Sequence, residues 1–286
     1  MTTRIATRTT PRIPVLRPIG TTAVWLFVSF CLFAFLFMLI SSVKSSSEIL
    51  NTPWSLPAAP DFGNWSRAWV DSGFGAAAIN TLVLVVTASV VVVGVSAPAA
   101  YALSRRRGGL SAGLTMFFAL GLGIPLQIIV LPLYSVLAEF GLIDSLFGLF
   151  LVYVATHLPF TVFLLTGFFR SLPNELEEAA ALDGVSASGT FFRIMLPLAR
   201  GGLVTALLLN AIGLWNETLL GLMFIQSNEN YTLSLALIGF IQQQQYNGAD
   251  YGALFAGVSI TILPMLLLYL WLGRRITEGL TAGLGK

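Results

Sequence analysis

Charge is what this sequence has least of: Asp, Glu, Lys and Arg make up 10% of its 286 residues, against roughly 25% in an ordinary soluble domain. With 56% hydrophobic residues and a mean hydropathy of +0.84, that deficit excludes a soluble globular chain and implies one that resides in a bilayer. Cysteine is almost missing too. Cys31 alone, inside an apolar run, excludes an intrachain disulfide or a thiolate metal site and reads as a small buried hydrophobe. The single histidine, His157, has no acidic neighbours in sequence, so it reads as a hydrogen-bonded interior residue rather than a metal ligand or proton relay. There is no cluster of His, Cys and carboxylates, no Ser–His–Asp set and no nucleotide fingerprint. Catalytic residues, a resident metal or cofactor, and a nucleic-acid partner are therefore not expected. The segment GLTAGLGK (279–286) hints at a phosphate loop, but Leu280 stands where that loop requires glycine.

What is present is a set of long uncharged windows. No charged residue occurs in 18–43, 72–104, 108–138, 145–169 or 251–273, and a sixth window, 201–228, is interrupted only by Glu217. Each is long enough for a membrane-spanning helix of about 20 residues. The sequence thus predicts an all-α, polytopic membrane protein with six spans, at about 20–42, 76–103, 112–137, 145–169, 200–224 and 251–273. The first is read as a retained helix, because its apolar run from Trp25 to Ile40 is too long for a signal peptide and no small-x-small cleavage site follows. A basic leader, 1–19, precedes a single transmembrane domain over 20–286, with a polar loop at 171–197, an outer loop at 225–249 and a tail at 274–286. Thirteen of the fifteen Lys and Arg fall on one set of connecting segments, and only Lys44 and Arg67 on the other. By the positive-inside rule both termini and the 171–197 loop are cytoplasmic. Trp54, Trp65 and Trp69 suit an interfacial belt on the far side.

Two features point to transport. Pro98, Pro125, Pro132 and Pro159 fall inside predicted spans, where broken helices are tolerated if the freed carbonyls meet neighbours or a wet cavity. Glu217, in WNET (215–218), is the one intramembrane carboxylate, and such residues face a cavity or a partner more often than lipid. Gln127, Tyr134, Asn210, Trp215, Asn216 and Glu217 are accordingly the candidate lining of a substrate pathway.

The stretch SLPNELEEAAALDG (171–184) reads as a short amphipathic helix, with Ser171 as cap, Pro173 in the first turn and Glu175, Glu177 and Glu178 at the positive end of the dipole. Leu172, Leu176 and Ala179/Ala180 share one face, with Glu177 and Ala181 away from it, and Gly184 supplies a left-handed exit. A second short helix from about Ser186 is lined by Phe191, Ile194 and Met195 and ends at Pro197. The product is a helix-turn-helix knob with small residues at its tip, shaped to fit a groove in another molecule.

Glu178-Ala179-Ala180, then Gly184, Ile194 and Leu196-Pro197, resembles the EAA loop of membrane subunits of ATP-binding-cassette importers. NTLVLVV (80–86), AYALSRR (100–106), PLYSVLAEFGLIDS (132–145), LPFTVFLLTGFFRSLPNELEEAAALDG (158–184) and GLTAGLGK (279–286) are similar to the carbohydrate branch, in particular its shorter maltose-type permease. The resemblance implies a multi-pass subunit of a bacterial or archaeal cytoplasmic membrane, forming half the pore of a sugar importer. Its partners would be a second homologous permease, two copies of a cytoplasmic ATPase that carry the ATP and Mg, and an extracytoplasmic solute-binding protein. Glu175, Glu178, Ala179, Ala180, Asp183, Gly184, Ile194, Leu196 and Pro197 would couple to the ATPase. Gly279, Thr281, Gly283 and Lys286 would reach between its two copies. Gln243, Gln244, Gln245, Tyr246 and Asn247 would approach the binding protein. An importer for glycerol phosphate or a polyamine, or a secondary transporter working alone, are the competing expectations.

Overall fold

The computed structural model describes residues 16–70, 73–106 and 108–283. Among them the regular structure is entirely helical. The elements are α1 (Leu16–Ser41), α2 (Ser46–Asn51), α3 (Gly63–Val70), α4 (Phe74–Arg105), α5 (Gly109–Gly121), α6 (Leu126–Glu139), α7 (Leu146–Ser171), α8 (Glu175–Leu182) and α9 (Ala187–Thr190). A π-helical turn, Phe191–Met195, leads into α10 (Leu196–Leu198), followed by α11 (Arg200–Trp215), α12 (Leu219–Phe224), α13 (Leu233–Asn247) and α14 (Tyr251–Gly283).

Four helices, within α1, α4, α7 and α14, are long and apolar enough to cross a membrane, and the count rises to six if each of two bent pairs is one span. The third predicted span is one of these pairs. α5 and α6 meet at 98°, with Pro125 at the N-cap of α6, so the chain turns sharply instead of running straight through 112–137. The fifth predicted span also differs. α11 stops at Trp215 and the chain re-forms a helix only at Leu219, while the helical run before α11 joins it at a 72° bend. The predicted outer loop 225–249 is mostly α13. Its apolar first half, LSLALIGFI, has too few residues to span and was hidden by the polar QQQQ that follows. Pro98, Pro159 and Pro264 sit inside helices that continue through them.

α4 and α7 lie side by side at the centre, with α11 packed on both and α14 on α11. Small residues make this approach possible: Ala77, Ala88, Ser89, Ser96, Ala97 and Ala100 are the buried face of α4. Gly202 on α11 does the same against α7, since a Cβ there would run into the Phe168 ring. The interior divides into two apolar clusters. One, around Phe74, Leu84, Leu149, Tyr153, Leu214 and Phe224, fills the end opposite the arginines. The other, around Ala100, Leu165, Phe169, Phe191 and Met195, fills the arginine-rich end. Helix α1 stands apart, exposed along most of its length, and touches α14 through the Phe37–Phe255 ring pair at 5.9 Å. Cys31 is exposed on it, not buried as expected, because α1 leaves its apolar surface to lipid or another chain.

The close α7–α11 approach gives the first test. Gly202→Ala is expected to destabilise the chain by about 1–3 kcal/mol through overpacking, and Phe168→Ala in the same chain to restore part of that loss. Thermal unfolding in detergent reads both. An unshifted midpoint for the single variant would mean that the Phe168 ring swings aside freely.

Candidate functional site

The knob begins where α7 ends. Ser171 does not cap α8, as the sequence suggests; its hydroxyl donates to the Phe168 carbonyl at 2.7 Å and so closes α7 instead. Asn174 takes the N-cap place without a side-chain cap bond. α8 then carries Glu175, Glu177 and Glu178 in its first turn. Its far end is a Schellman motif: the Val185 N–H donates to the Ala180 carbonyl at 2.9 Å and the Gly184 N–H to that of Ala181 at 3.1 Å. Gly184 has φ +73°, which a side chain would strain. Ser186 caps α9 by accepting from the Gly189 N–H at 3.2 Å. The knob rests on the molecule through Ala180, Phe191 and Met195, all buried, with Leu172, Leu176, Ile194 and Leu196 half-buried beside them. Glu175, Glu178, Ala179, Ala181, Asp183, Gly184 and Pro197 face outwards, and Leu182 at the tip is 90% exposed.

One side chain fastens the knob to the helix bundle. Arg105, the last residue of α4, donates from Nε to Glu177 Oε1 at 2.6 Å, from one terminal nitrogen to Asn174 Oδ1 at 2.7 Å and from the other to the Leu172 carbonyl at 3.1 Å. Glu177 therefore turns towards the bundle, against the outward position that helical spacing suggested, because a cation waits there. Just above, the Tyr101 ring lies 5.1 Å from Phe191 and 5.6 Å from Phe169. Sequence reading found the knob but not its clamp, although Arg105 stands inside AYALSRR.

The proposed pathway residues are not brought together. Asn210 is buried between α11 and α7, donating to Thr161 Oγ1 at 2.9 Å and to the Ala206 carbonyl at 2.8 Å. Trp215 is buried against α14, its indole N–H donating to the Thr261 carbonyl at 3.1 Å. Glu217 bridges the break after α11: it accepts from the N–H groups of Leu220 (2.7 Å) and Gly221 (3.3 Å) and from the Tyr153 hydroxyl (2.9 Å). Neither cavity nor subunit contact is needed to satisfy it. Asn216 is exposed and bonds back to the Ile212 carbonyl, and Gln127 and Tyr134 are exposed along α6. The lone His157 holds the Tyr153 carbonyl through Nδ1 at 3.1 Å, with Nε2 towards Gly213 on α11. Of the glutamine run, Gln243 is exposed and Gln244 accepts from the Asp250 N–H at 2.9 Å. The side chains of Gln245, Tyr246 and Asn247 lie outside the described residues, as do those of Gly279, Thr281 and Gly283 and the whole of Lys286.

At the end opposite the arginines, Asp144 joins two turns. Its carboxylate accepts from the N–H groups of Gln226 and Ser227, both at 2.9 Å, and from the Ser227 hydroxyl at 3.0 Å. These N–H donors hold its pKa down at about 2. Asp144 itself sits at φ 57°, a left-handed position that Asp tolerates better than most residues.

The described residues thus form a helical membrane chain with two bent helix pairs and a knob of short helices at one end. Residues 91–280 match the family described as "Binding-protein-dependent transport system inner membrane component", and the chain belongs to that family. It is 38% identical to the diacetylchitobiose uptake system permease protein NgcG of Streptomyces coelicolor, covering 87% of this chain and 82% of that one. It is 35% identical to the probable ABC transporter permease protein YurM of Bacillus subtilis (93% and 88% covered). With the trehalose transport system permease protein SugB of Mycobacterium tuberculosis it shares 32% (91% and 94% covered). Its fold matches a chain in the crystal structure of a bacterial ABC transporter that imports the acidic polysaccharide alginate, with a TM-score of 0.73 at 23% identity over 93% of this chain and 99% of that one. The chain is a multi-pass membrane component of this transport family.

Two outcomes follow from the geometry. Arg105→Ala removes three hydrogen bonds to the knob, so amide exchange over residues 175–182 should speed up about 10–100-fold, and the reversed pair Arg105→Glu with Glu177→Arg should recover part of the protection. Unaltered exchange would mean that the apolar seat alone holds the knob. Asp144, with its pKa lowered, contributes stability that is fully present above its unfolded value of about 3.9 and lost only as pH falls through about 2. Proteolysis in the 225–231 loop should thus be equally slow at pH 7 and pH 5 in the parent chain and faster at both in Asp144→Ala. A rise between pH 7 and pH 5 in the parent would show that another group controls the loop.

Proposed function

We propose that this chain is one of two permease subunits of a binding-protein-dependent ATP-binding-cassette importer for a di- or oligosaccharide. ATP and Mg are bound by a pair of separate cytoplasmic ATPases, and cargo is delivered by an extracytoplasmic binding protein. The observation that carries this is the knob: α8 presents Ala179, Ala181, Leu182 and Gly184 outwards while Arg105 ties its base to α4. A small, apolar, rigid tip is what a groove on another protein accepts, and a charged clamp to a membrane helix is what transmits the movement of that protein. Glu178 and Asp183 flank the tip, and Glu175, Ile194, Leu196 and Pro197 complete the coupling loop. The tail, through Gly279, Thr281, Gly283 and Lys286, reaches between the ATPases. The charge asymmetry supports termini on the same, cytoplasmic side as the knob. Relatives that carry diacetylchitobiose or trehalose in their names support an uncharged sugar as cargo over glycerol phosphate or a polyamine.

Leu182 makes a clean test because so little of it is used in the fold. In vesicles holding both permeases and the ATPase, Leu182→Asp should cut binding-protein-stimulated ATP hydrolysis at least about tenfold, the equivalent of 1.4 kcal/mol, without changing the unfolding midpoint. Undiminished stimulation would remove the knob from the coupling path. Uptake by the purified chain alone, without ATP, would replace the importer with a secondary transporter.

A further inference from the structure

At the end opposite the arginines, a pocket of about 260 Å³ opens between the start of α4, the turn before α13 and α13 itself. Phe240, 4% exposed, forms its base, and Tyr231, half-buried, forms one wall. Asn228 and Gln243 stand exposed at the rim. Two glycines make the space: Gly73, and Gly239, where a Cβ would come within 3.6 Å of Tyr231 Cε2.

The walls are held in place by bonds that leave the lining groups free. Asn80 on α4 donates to the Glu229 carbonyl at 2.8 Å and to the Tyr231 carbonyl at 3.0 Å, and the Leu233 N–H donates to Thr81 Oγ1 at 2.7 Å. Phe240 is fixed edge-on by Phe74, at 5.9 Å. Among the described residues, the side chains of Asn228, Tyr231 and Gln243 have no hydrogen-bond partner of their own. Two carboxamides and a phenol, each both donor and acceptor, therefore line the pocket beside the Phe240 ring.

From this we propose that the pocket is an entrance site for one pyranose ring of a neutral sugar. A pyranose has an apolar C–H face for the Tyr231 ring and neighbouring hydroxyls that both donate and accept, which suits Asn228 and Gln243. Among the described residues, the lining contains no cation for a phosphate and no carboxylate for a polyamine. A few convergent polar groups in a preformed aromatic pocket are the usual form of a small-molecule site. This rests on the importer reading and narrows its cargo. The sugar reaches the pocket either free or while still held by the binding protein.

The test is protection from chemical labelling, in the assembled importer in lipid nanodiscs. Cys31→Ser removes the one native thiol, and Asn228→Cys or, separately, Gln243→Cys places a thiol at either rim for a water-soluble maleimide. N,N′-diacetylchitobiose or trehalose at about four times its Kd should slow labelling about fivefold if the free sugar binds. Protection by sugar-loaded but not by empty binding protein would place the same sugar in the pocket through its carrier. Gly239→Val, which fills the pocket, should abolish the protection in either case. Equal protection by empty and loaded binding protein would make this a protein docking point and overturn the proposal. So would protection by spermidine or glycerol 3-phosphate, or labelling that nothing slows. Stimulation of ATP hydrolysis by the binding protein, measured in the same nanodiscs, reports on the importer separately, so failure of the importer and failure of the pocket give different results.

Discussion

A break in a membrane helix frees backbone N–H and C=O groups that lipid cannot satisfy, and the cost of leaving them bare is several kcal/mol apiece. Several of the polar side chains answer that constraint. Lys44, fully buried, gathers the carbonyls of Thr52, Pro53 and Ser55 at 2.8–3.2 Å. Glu217 takes the N–H groups that start α12, Asp144 those of the turn after it, and Asn80 the carbonyls before α13. Arg105 takes the carbonyl that ends α7. A chain with so few charges places them where the backbone would otherwise be unpaired.

Because the patches join segments far apart in sequence, they also make the two ends mechanically continuous. α4 holds the 229–231 turn through Asn80 at one end and the knob through Arg105 at the other. At about 1.5 Å per residue its 32 residues span roughly 48 Å. The apolar clusters at the two ends both draw on α4, α7 and α11, so these helices form one block. Displacing the knob must therefore either carry α4 with it or break the Arg105 clamp. The broken pair α5–α6 is attached differently. α5 meets α7 at Gly121, where a Cβ would lie 3.2 Å from the Pro159 ring, and is less committed to the block.

The architecture was legible because membrane helices announce themselves by length and lack of charge, and the knob because Gly184, Ser186 and Pro197 punctuate it locally. What sequence did not disclose were the places where a polar residue serves a distant segment. Glu217 looked like a pathway carboxylate because its partners, Tyr153 and the α12 amides, lie across a break that hydropathy cannot see. Asn210 and Trp215 looked functional for being polar in an apolar run, yet their bonds to Thr161 and Thr261 are seams between helices. Glu177 was assigned by helical spacing to the outer face, and an ion pair with a residue 72 positions away overrode it. Helix α13 was missed for a different reason: apolar in its first part and polar in its last, it matches neither a span nor an amphipathic helix.

The distribution of free charge bears on which way the chain faces. At the end opposite the knob, Lys44 is enclosed by carbonyls, and Arg67 is paired with Asp61 at 3.1 Å and Asp250 at 3.0 Å, which raise its pKa against the desolvation that would lower it. Lys44 is thereby withdrawn from solvent, whereas Arg67 keeps 44% of its side chain exposed within its ion pairs. At the other end, among the described residues, Arg105 is enclosed, while Arg106, Arg170, Arg193 and Arg200 are exposed and without an ion pair. Orientation responds to cations near the membrane surface that stay solvated on one side. Lys44 drops out of such a count, so the asymmetry is steeper than the sequence tally. The same economy that patches the backbone at one end leaves the other end, which carries the knob, as the basic face.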